Sequence, residues 1–391
     1  MKKKKTCNNT REKSVRFIHW NMLVGGAEKS LLRLLKNFDC EKYDTALTMH
    51  EAGGELFSEI PEGVKVDIVP MESFSEDCAR LPFGKMMKSF YYAFRCKRAK
   101  EDRFDWLMKI YDLCHHITAD TVIVYAFVSP FCLQLGALST AKRKALWIHG
   151  ILAPDDVFLK VLPPFLDAFD TFFCVSEAVR VWFNELYPEQ ASKTVVMYNL
   201  TDTEKIRMLA DEEALPVEKD VSVLCTVTRI VRDKGTELIP EIARRLTEDG
   251  YNIRWYLVGD GYMREYIEQI AGQLGVADKI IFCGTKINPY PYVKACDVYV
   301  QPTFSEGFCL SVNEAKILCR PIVVTDIPCM YEQLEPNKNA LFAEWSIDAF
   351  VEKTEKLLDS PELREQFTED LKNAVYDNQR ELDKLYSFID G

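Results

Sequence analysis

Two glutamates in the last third of the chain have the type and spacing to bind hydroxyl groups. Glu306 and Glu314 enclose the seven residues "GFCLSVN" and follow the apolar run "DVYVQP". The run predicts a strand, and "LSVNEAKIL" predicts a helix that holds Glu314 about one turn inside it, leaving Glu306 in the connecting loop. Gly307 would allow a tight turn between them. Carboxylates on both sides of such a turn can accept hydrogen bonds from sugar or ribose hydroxyls. The alternative is an unrelated loop glutamate plus a surface helix glutamate.

A second group of residues could bind an anion. The segment "VTRIVRDKGTE" follows a predicted strand and contains Arg229, Arg232 and Lys234. Lys234 and Gly235 precede a predicted helix whose free N–H groups favour an anion. Two fixed cations beside that helix would strengthen the binding, although solvated surface charges are the alternative. Further on, "LVGDGYMREY" predicts a strand, a turn and a helix, in which Gly259 and Gly261 serve the turn.

The N-terminal half offers a double glycine and one well-placed histidine. In "HWNMLVGGAEKS", Gly25 and Gly26 either form the turn into a helix or let the backbone approach a ligand. The pattern G-x-x-x-x-G-K-[ST] is missing, which argues against a nucleoside triphosphatase. His149 ends the strand "KALWIH", at the edge where ligands are expected. The remaining histidines are more weakly placed, namely His19, His50, His115 and His116.

Apolar runs alternate with amphipathic segments along the chain, and this pattern predicts parallel sheets. One series ends near residue 200, and a second begins with "VSVLCTV" after the acidic, proline-bearing connection 211–220. We therefore predict an α/β fold with two doubly wound domains, 1–200 and 201–374, facing each other across a cleft. The length of 391 residues also favours two hydrophobic cores. Ligands should lie at the carboxyl ends of the strands.

Composition excludes several classes of protein. The net charge of −11 argues against a nucleic-acid partner, because phosphate binding requires a basic face. Thirteen cysteines without a C-x-x-C pair suit free thiols in a reducing cytoplasm rather than disulfides or a zinc site. No secretory signal is expected at the N-terminus. The uncharged segment 121–138 is interrupted by Ser129-Pro130 and is interpreted as a strand, a loop and a buried helix rather than a membrane span.

Taken together, these elements resemble the retaining GT-B-fold glycosyltransferases of family 4, group 1, which build polysaccharides and glycolipids. The similarity extends over "GGAEKSL", "HG", "VSEAV", "YNLTD", "TRIVRDKG", "LVGDG", "DVYVQPTFSEGFCLSVNEA" and "PIVVTD", almost the whole chain. The Glu-x7-Glu element is its most specific part. The sequence departs from the family pattern at "CRPIVV", where Arg320 replaces a glycine, and at "NAL" in place of "NGL".

The resemblance implies a role for each domain and for individual residues. The N-terminal domain would bind the acceptor, the C-terminal domain would bind the nucleotide-sugar donor, and the helix at 375–391 would pack back onto the first domain. Arg229 and Lys234 would hold the donor diphosphate, Glu314 the ribose, and Glu306 the transferred sugar, with His149 near the reacting carbon. The further donor-binding residues implied are Gly25, Gly26, Gly259, Lys286, Gly307, Phe308, Cys309 and Leu310.

The implied activity is that of a retaining, hexosyltransferase-type enzyme. It would move a sugar, most simply from a UDP-sugar, to a saccharide or lipid-linked saccharide in bacterial surface polysaccharide or glycolipid synthesis. No cofactor and no metal are expected, because the chain lacks an Asp-x-Asp triplet and carries Arg229 and Lys234. The attack would occur on the front face of the sugar, assisted by the departing phosphate. A sugar-nucleotide epimerase and a non-catalytic nucleotide-sugar-binding protein are the alternatives.

A basic and aromatic segment suggests where the protein acts. Residues 82–109 mix lysines and arginines with phenylalanines and tyrosines. This composition suits peripheral contact with an anionic membrane at the inner face of the cell membrane. A solvated helix over the domain core is the competing interpretation.

Overall fold

The fold comprises two compact units. A computed structural model describes residues 13–69, 78–98, 103–126, 128–215, 220–374 and 378–391. The first unit contains the described residues of Met1–Val175, Val179–Leu200 and Asn378–Gly391, and the second contains those of Ser176–Ala178 and Thr201–Asp377. Apart from Ser176–Ala178, the second unit therefore begins at Thr201, ten residues before the acidic segment 211–220 that we expected to connect the domains. Part of that segment, 216–219, lies outside the described residues.

The first unit is built on a parallel sheet of seven strands, in the order β3-β2-β1-β4-β5-β6-β7. The strands are β1 (Lys13–His19), β2 (Tyr43–Met49), β3 (Lys65–Ile68), β4 (Thr118–Val124), β5 (Thr140–Ile148), β6 (Thr171–Cys174) and β7 (Thr194–Val196). The helices are α1 (Gly26–Asn37), α2 (Phe83–Arg98), α3 (Arg103–His115), α4 (Pro130–Leu138), α5 (Phe158–Val161) and α6 (Glu177–Leu186), whose first two residues count with the second unit. The strand order reverses between β1 and β4, so a ligand is expected at the carboxyl ends of these two strands.

The second unit is built on a parallel sheet of six strands, in the order β10-β9-β8-β11-β12-β13. The strands are β8 (Ser222–Val227), β9 (Ile253–Val258), β10 (Ile280–Gly284), β11 (Val298–Gln301), β12 (Ile322–Thr325) and β13 (Ala340–Ala343). The helices are α7 (Thr203–Ala210), α8 (Ile239–Glu248), α9 (Arg264–Gln273), α10 (Tyr290–Ala295), α11 (Leu310–Ile317), α12 (Pro328–Tyr331), α13 (Ile347–Asp359) and α14 (Pro361–Lys372). Here the order reverses between β8 and β11.

The strands are apolar over consecutive residues because both faces of each sheet are covered. Val122, Ile123 and Val124 of β4 are all fully buried, which is the usual pattern in a parallel sheet packed between helices. The segment 121–138 continues into α4, where Ser129 caps the helix by accepting the N–H of Cys132 and Pro130 starts it. The predicted order of strand, loop and helix is confirmed there. None of the described helices is both long enough and apolar enough to cross a membrane.

The last helix, α15 (Asn378–Asp390), packs in the first unit. The carboxylate of Glu381 accepts the backbone N–H of Tyr198 at 2.8 Å, and the Tyr386 hydroxyl accepts that of Asp39 at 3.0 Å. The Lys13 ammonium donates to the Ile389 carbonyl at 2.9 Å. Residues 375–377, where we expected the helix to begin, lie outside the described residues.

Candidate functional site

The loops after β8 and β11 are joined at the point where the strand order of the second unit reverses. The backbone N–H of Phe304 donates to the Asp233 carbonyl at 3.0 Å, and the Thr303 hydroxyl oxygen lies 3.3 Å from the same carbonyl oxygen. The indole N–H of Trp345 donates to the Pro302 carbonyl at 3.0 Å. Two segments about 70 residues apart are thus held together at the carboxyl edge of the sheet, where ligands bind in such folds.

Lys234 and Glu306 form an ion pair inside this joined region. The Lys234 Nζ lies 3.1 Å from the Glu306 Oε1 and 3.2 Å from an Asp233 carboxylate oxygen, and it also donates to the Ser305 carbonyl at 3.1 Å. The Thr303 hydroxyl donates to Glu306 at 3.1 Å. Burial alone would lower the pKa of Lys234, but the charges of Glu306 and Asp233 outweigh burial and raise that pKa above its usual value. Lys234 is therefore a fixed cation at neutral pH.

The other predicted cations of this unit are exposed. Arg229 lies in the loop directly after β8, in the same loop as Lys234, and its side chain is open to solvent. Lys286 follows β10, the edge strand of the sheet, and its Nζ lies 6.0 Å from the centre of the Tyr292 ring. Lys286 is therefore further along the sheet from the Lys234–Glu306 pair than Arg229 is.

Gly259 is required by the packing of the loops. Its φ is +139°, a conformation that residues with a side chain rarely adopt, and a Cβ there would overlap the Thr228 carbonyl oxygen. Its N–H donates to the Gly284 carbonyl at 2.9 Å. Glycine is thus required in this turn because the loops after β8 and β9 approach each other closely.

The turn between the two glutamates differs from the prediction. The left-handed residue is Cys309, with φ 60°, whereas Gly307 does not have a positive φ. The carbonyl of Gly307 accepts the Ser176 hydroxyl at 2.6 Å, and that of Phe308 accepts the Gln333 side-chain amide. These two bonds fix the peptide groups that lead into α11 at Leu310.

Glu314 is buried in α11, with 3% of the residue exposed. The Tyr290 hydroxyl donates to its Oε1 at 3.2 Å. The Glu314 carboxylate thus belongs to the packed interior between α10 and α11, while Glu306 lies in the loop with Lys234. Burial, followed by the charge of Glu306, raises the pKa of the Cys309 thiol well above its usual value, so Cys309 stays protonated.

In the first unit, His149 follows β5 and lies against Tyr125, with 4.5 Å between the ring centres. Its Nε2 atom is buried and has no hydrogen-bond partner among the described residues. Burial, the nearby His19 and a hydrogen bond to the Tyr125 backbone together set its pKa, which is lowered to about 3. His149 is therefore a neutral imidazole at neutral pH.

The structure adds residues that the sequence analysis did not select. The His19 Nε2 lies 3.1 Å from the Glu28 Oε1. The Ser30 hydroxyl lies 2.7 Å from the Tyr125 hydroxyl and also donates to the side-chain oxygen of Asn199. The signal was available, because Glu28 and Ser30 belong to "GGAEKS" and His19 ends β1 at the reversal of the sheet.

Gly25 is the N-cap of α1 and Gly26 is its first residue, two positions before Glu28. Gly25 is extended, with φ −151°, so its conformation does not require glycine. A Cβ at Gly25 would instead overlap the Glu28 Oε2, the end of a flexible side chain. Gly25 leaves room for the Glu28 carboxylate, whereas an approach of this backbone to a ligand stays a prediction.

Within the described ranges, no group of three or more histidine, cysteine, aspartate and glutamate side chains is arranged to hold a metal ion.

Comparison with known proteins connects the second unit to one family. Residues 209–374 match the family described as "Glycosyl transferases group 1". This segment contains β8 to β13, the Lys234–Glu306 pair and Glu314. The match therefore covers most of the second unit.

Curated relatives are similar over parts of their length. An uncharacterized glycosyltransferase of Methanocaldococcus jannaschii is 25% identical over 142 residues, which are 34% of each chain. The first three such relatives are matched over 34%, 40% and 50% of their own length. A longer match is to the N-acetylgalactosamine-N,N'-diacetylbacillosaminyl-diphospho-undecaprenol 4-alpha-N-acetylgalactosaminyltransferase of Campylobacter jejuni, 22% identical over 77% of this chain and 78% of the relative.

The fold is similar to that of solved GT-B structures. The structure of S. aureus TarM in complex with Fondaparinux, alpha-GlcNAc-glycerol and UDP gives a TM-score of 0.74 at 15% identity, covering 97% of this chain and all of TarM. The chain thus has the two-domain α/β fold that was predicted.

Proposed function

We propose that the protein is a retaining glycosyltransferase that moves a sugar from a nucleotide-sugar, most simply a UDP-sugar, to a saccharide or lipid-linked saccharide. The observation that carries the proposal is the Lys234–Glu306 pair, 3.1 Å apart, at the reversal of the sheet in the segment that matches glycosyl transferases group 1. A cation and a carboxylate in that place suit a substrate with a diphosphate joined to a polyol.

The proposed chemistry requires charge stabilisation on the leaving group. In the transfer, the bond between the sugar C1 and the diphosphate oxygen breaks and its electron pair stays on the phosphate. The acceptor oxygen bonds to C1 from the same face, and the proton of the acceptor hydroxyl passes to the departing phosphate oxygen. Lys234 stays protonated because its pKa is raised, and it is already oriented by Glu306 and Ser305. Such a preorganised cation stabilises the departing phosphate without reorganisation. Arg229 supplies a second, exposed cation from the same loop.

The names of the similar proteins support the choice of substrates. The TarM structure contains UDP, and the Campylobacter relative is named for transfer to an undecaprenol-linked saccharide. We propose the same two classes here, a uridine diphosphate sugar as donor and a saccharide or lipid-linked saccharide as acceptor, in bacterial surface polysaccharide or glycolipid synthesis. The roles of Gly25, Gly26, Lys286 and His149 toward the donor stay predictions.

The test is a donor screen followed by an acceptor screen. Binding of UDP-sugars should raise the melting temperature through mass action. UDP release should require an acceptor, and NMR of the product should show retention at C1. Lys234→Ala should lower kcat by about 10²-fold, while Lys338→Ala, an exposed lysine elsewhere in the second unit, should leave it unchanged. A changed sugar nucleotide formed without acceptor would indicate an epimerase instead, and donor binding without turnover would indicate a binding protein.

We also propose that α2 contacts an anionic membrane. Phe83, Met87, Phe90 and Phe94 are all at least half exposed and recur every three or four residues, so they form one stripe. The other side of the helix is covered, since Tyr92 packs on Trp106 of α3 with ring centres 5.7 Å apart. Exposed basic residues flank the stripe: Lys85, Lys88, Arg95, Lys97 and Arg98. An apolar stripe with cations beside it suits the interface of anionic lipids. Residues 99–102 of the segment 82–109 lie outside the described residues.

Liposome sedimentation tests the membrane proposal separately. Binding to vesicles containing phosphatidylglycerol should weaken with salt and with a Lys85→Glu, Lys88→Glu double change. Phe90→Ser should weaken it at every salt concentration. Lys160→Glu, an exposed lysine on α5, is the matched control. Failure of the wild-type chain to sediment at low salt would contradict the proposal.

A further inference from the structure

His19 is a buried histidine with one bound and one unbound nitrogen. Only 2% of the residue is exposed, at the carboxyl end of β1. Its Nε2 lies 3.1 Å from the Glu28 Oε1, whereas its Nδ1 is buried and lacks a hydrogen-bond partner within the described ranges. Buried polar atoms are nearly always hydrogen-bonded, so an unpaired one needs an explanation such as a bound ligand group.

The Glu28 carboxylate determines which hydrogen-bonding role the open nitrogen has. An ionised carboxylate only accepts hydrogen bonds, so the His19 Nε2 must carry the hydrogen of this contact. In the neutral imidazole, the Nδ1 then keeps a lone pair and can only accept. The partner that fits this atom is therefore a donor, such as a hydroxyl group. A bare anionic oxygen does not fit, because it has no hydrogen to donate.

The position of Glu28 is itself fixed by the local fold. Glu28 lies in the first turn of α1, and Ser30, two residues later, is bound by the Tyr125 hydroxyl at 2.7 Å and by Asn199. The start of α1 is thus tied to the segments that follow β4 and β7. Gly25 leaves the space that the Glu28 carboxylate occupies.

His149, like His19, lies against Tyr125 and has a buried nitrogen without a partner in the described residues. The centres of the His19 and His149 rings lie 6.0 and 4.5 Å from that of Tyr125. His149 is hydrogen-bonded to the Tyr125 backbone, and its Nε2 is buried and unpaired in the described part of the chain. Two buried nitrogens without a partner in the described residues thus belong to rings that both lie against Tyr125.

We propose that Glu28 is a positioning residue that fixes His19 as a hydrogen-bond acceptor, and that the His19 Nδ1 binds a hydroxyl group of a saccharide. This inference rests on the proposed function, because it assigns one of the saccharide substrates to the first unit. It goes beyond that function by naming the atom, the direction of the hydrogen bond and the selectivity for a hydroxyl donor.

The test observes the nitrogen directly. The full chain, labelled with ¹⁵N-histidine, contains five histidines, and His19→Gln assigns the His19 signals. Long-range ¹H–¹⁵N spectra should show hydrogen on the His19 Nε2 and a lone pair on its Nδ1. The Nδ1 shift should move on titration with methyl α-glycosides of glucose, galactose, N-acetylglucosamine and N-acetylgalactosamine, for at least one sugar. Sodium sulfate, an anion without hydroxyl groups, should not move it.

Variants separate positioning from simple structural support. Glu28→Gln should produce a mixture of the two His19 tautomers and weaken glycoside binding about threefold or more, while His19→Gln should weaken it at least fivefold. His116→Gln is the matched control, since His116 is exposed and bonded to Asp112 and Thr140. The far-ultraviolet circular dichroism of each variant reports whether the fold is intact.

The outcomes distinguish this inference from the proposed function. A cationic His19, hydrogen on Nδ1, or no response to any glycoside would overturn the inference, including the case of a permanently bound water. If the Nδ1 responds to a glycoside but no sugar is transferred in the donor and acceptor screens, the hydroxyl site stands and the transferase proposal fails. If sugar is transferred but the His19 Nδ1 carries hydrogen, the transferase proposal stands and the hydroxyl site fails.

Discussion

Glu306 contacts the Lys234 ammonium and, in the proposed reaction, also contacts the sugar that moves. Glu306→Gln keeps the size of the side chain but removes the charge 3.1 Å from Lys234. Because the charge of Glu306 helps to raise the pKa of the buried Lys234, the variant should lower that pKa and weaken the cation that stabilises the leaving phosphate. We expect kcat to fall by about 10²-fold, with a smaller change in the donor Kd.

Glu314→Ala should show the reverse pattern. Its carboxylate is buried beside Tyr290, and the family resemblance implies that it binds the ribose. Its loss should therefore weaken nucleotide binding by about 1.5–3 kcal/mol with less effect on kcat. Tyr290→Phe is the control, because it removes one bond to the carboxylate but leaves the carboxylate in place. Calorimetry with UDP measures the change in nucleotide binding, and steady-state kinetics measure the change in kcat. Equal, small effects from Glu306→Gln and Glu314→Ala would leave the pair without a role in substrate binding.

His149 should make the stability of the protein depend on pH. Its pKa is lowered from the usual 6.5 to about 3 in the folded chain, chiefly by burial. When the pH lies between these two values, His149 is therefore protonated in the unfolded chain and neutral in the folded chain. The contribution of the neutral ring is complete above pH 6.5 and is lost as the pH falls toward 3. Between pH 7 and 5 this loss should amount to about 1–2 kcal/mol.

Urea unfolding of the wild type and His149→Gln at several pH values measures that loss. The difference in the free energy of unfolding between the two proteins should shrink by this amount as the pH falls. A pH-independent difference for His149→Gln would mean that the ring titrates normally.

At the scale of elements, Gly235 determines how the loop after β8 meets the loop after β11. Its φ is +63°, and a Cβ would overlap the carbonyl oxygen of Pro302, a backbone atom that cannot rotate away. Gly235→Ala should therefore destabilise the fold by about 2–4 kcal/mol and displace Lys234. Gly250→Ala is the matched control, because Gly250 also has a positive φ, +98°, but open space at the Cβ. Its cost should be about 1 kcal/mol, and equal costs in thermal unfolding would contradict the account.

The elements were largely predictable from the sequence, and the contacts between their ends were not. The apolar runs before His149 and Glu306 predict strands, because a parallel strand covered on both faces must be apolar throughout. The turn before α11 was predicted only in outline: Gly307 was expected to allow it, but hydrogen bonds from Ser176 and Gln333 to its carbonyls fix a turn in which Cys309 has the positive φ. Tertiary hydrogen bonds there outweigh local propensity.

The same limit applies to the site. The loop charges of Lys234 and Glu306 were each selected, because both follow strands at the ligand edge. Their ion pair was not predicted, since sequence does not give the direction in which a side chain points from a loop. The His19–Glu28 contact was missed for a related reason, because a histidine that ends a strand and a glutamate in a helix give no sign of contact until the first turn of α1 is placed.

For the whole molecule, the remaining prediction is that transfer needs no divalent metal. A leaving nucleotide diphosphate carries about two negative charges, which hard cations neutralise in enzymes that supply oxygen ligands for them. Here Lys234 is a half-buried cation with a raised pKa, and Arg229 is an exposed cation on the same loop. Fixed positive groups of this kind can stabilise the developing charge in place of a metal.

Activity with the correct donor and acceptor should therefore persist in excess EDTA, and added Mg²⁺ or Mn²⁺ should change kcat less than twofold. The control is Lys234→Ala assayed with and without Mn²⁺, because rescue of that variant alone would show the metal replacing the lost cation. Loss of wild-type turnover in EDTA, restored by Mg²⁺ or Mn²⁺, would show that Lys234 and Arg229 are insufficient.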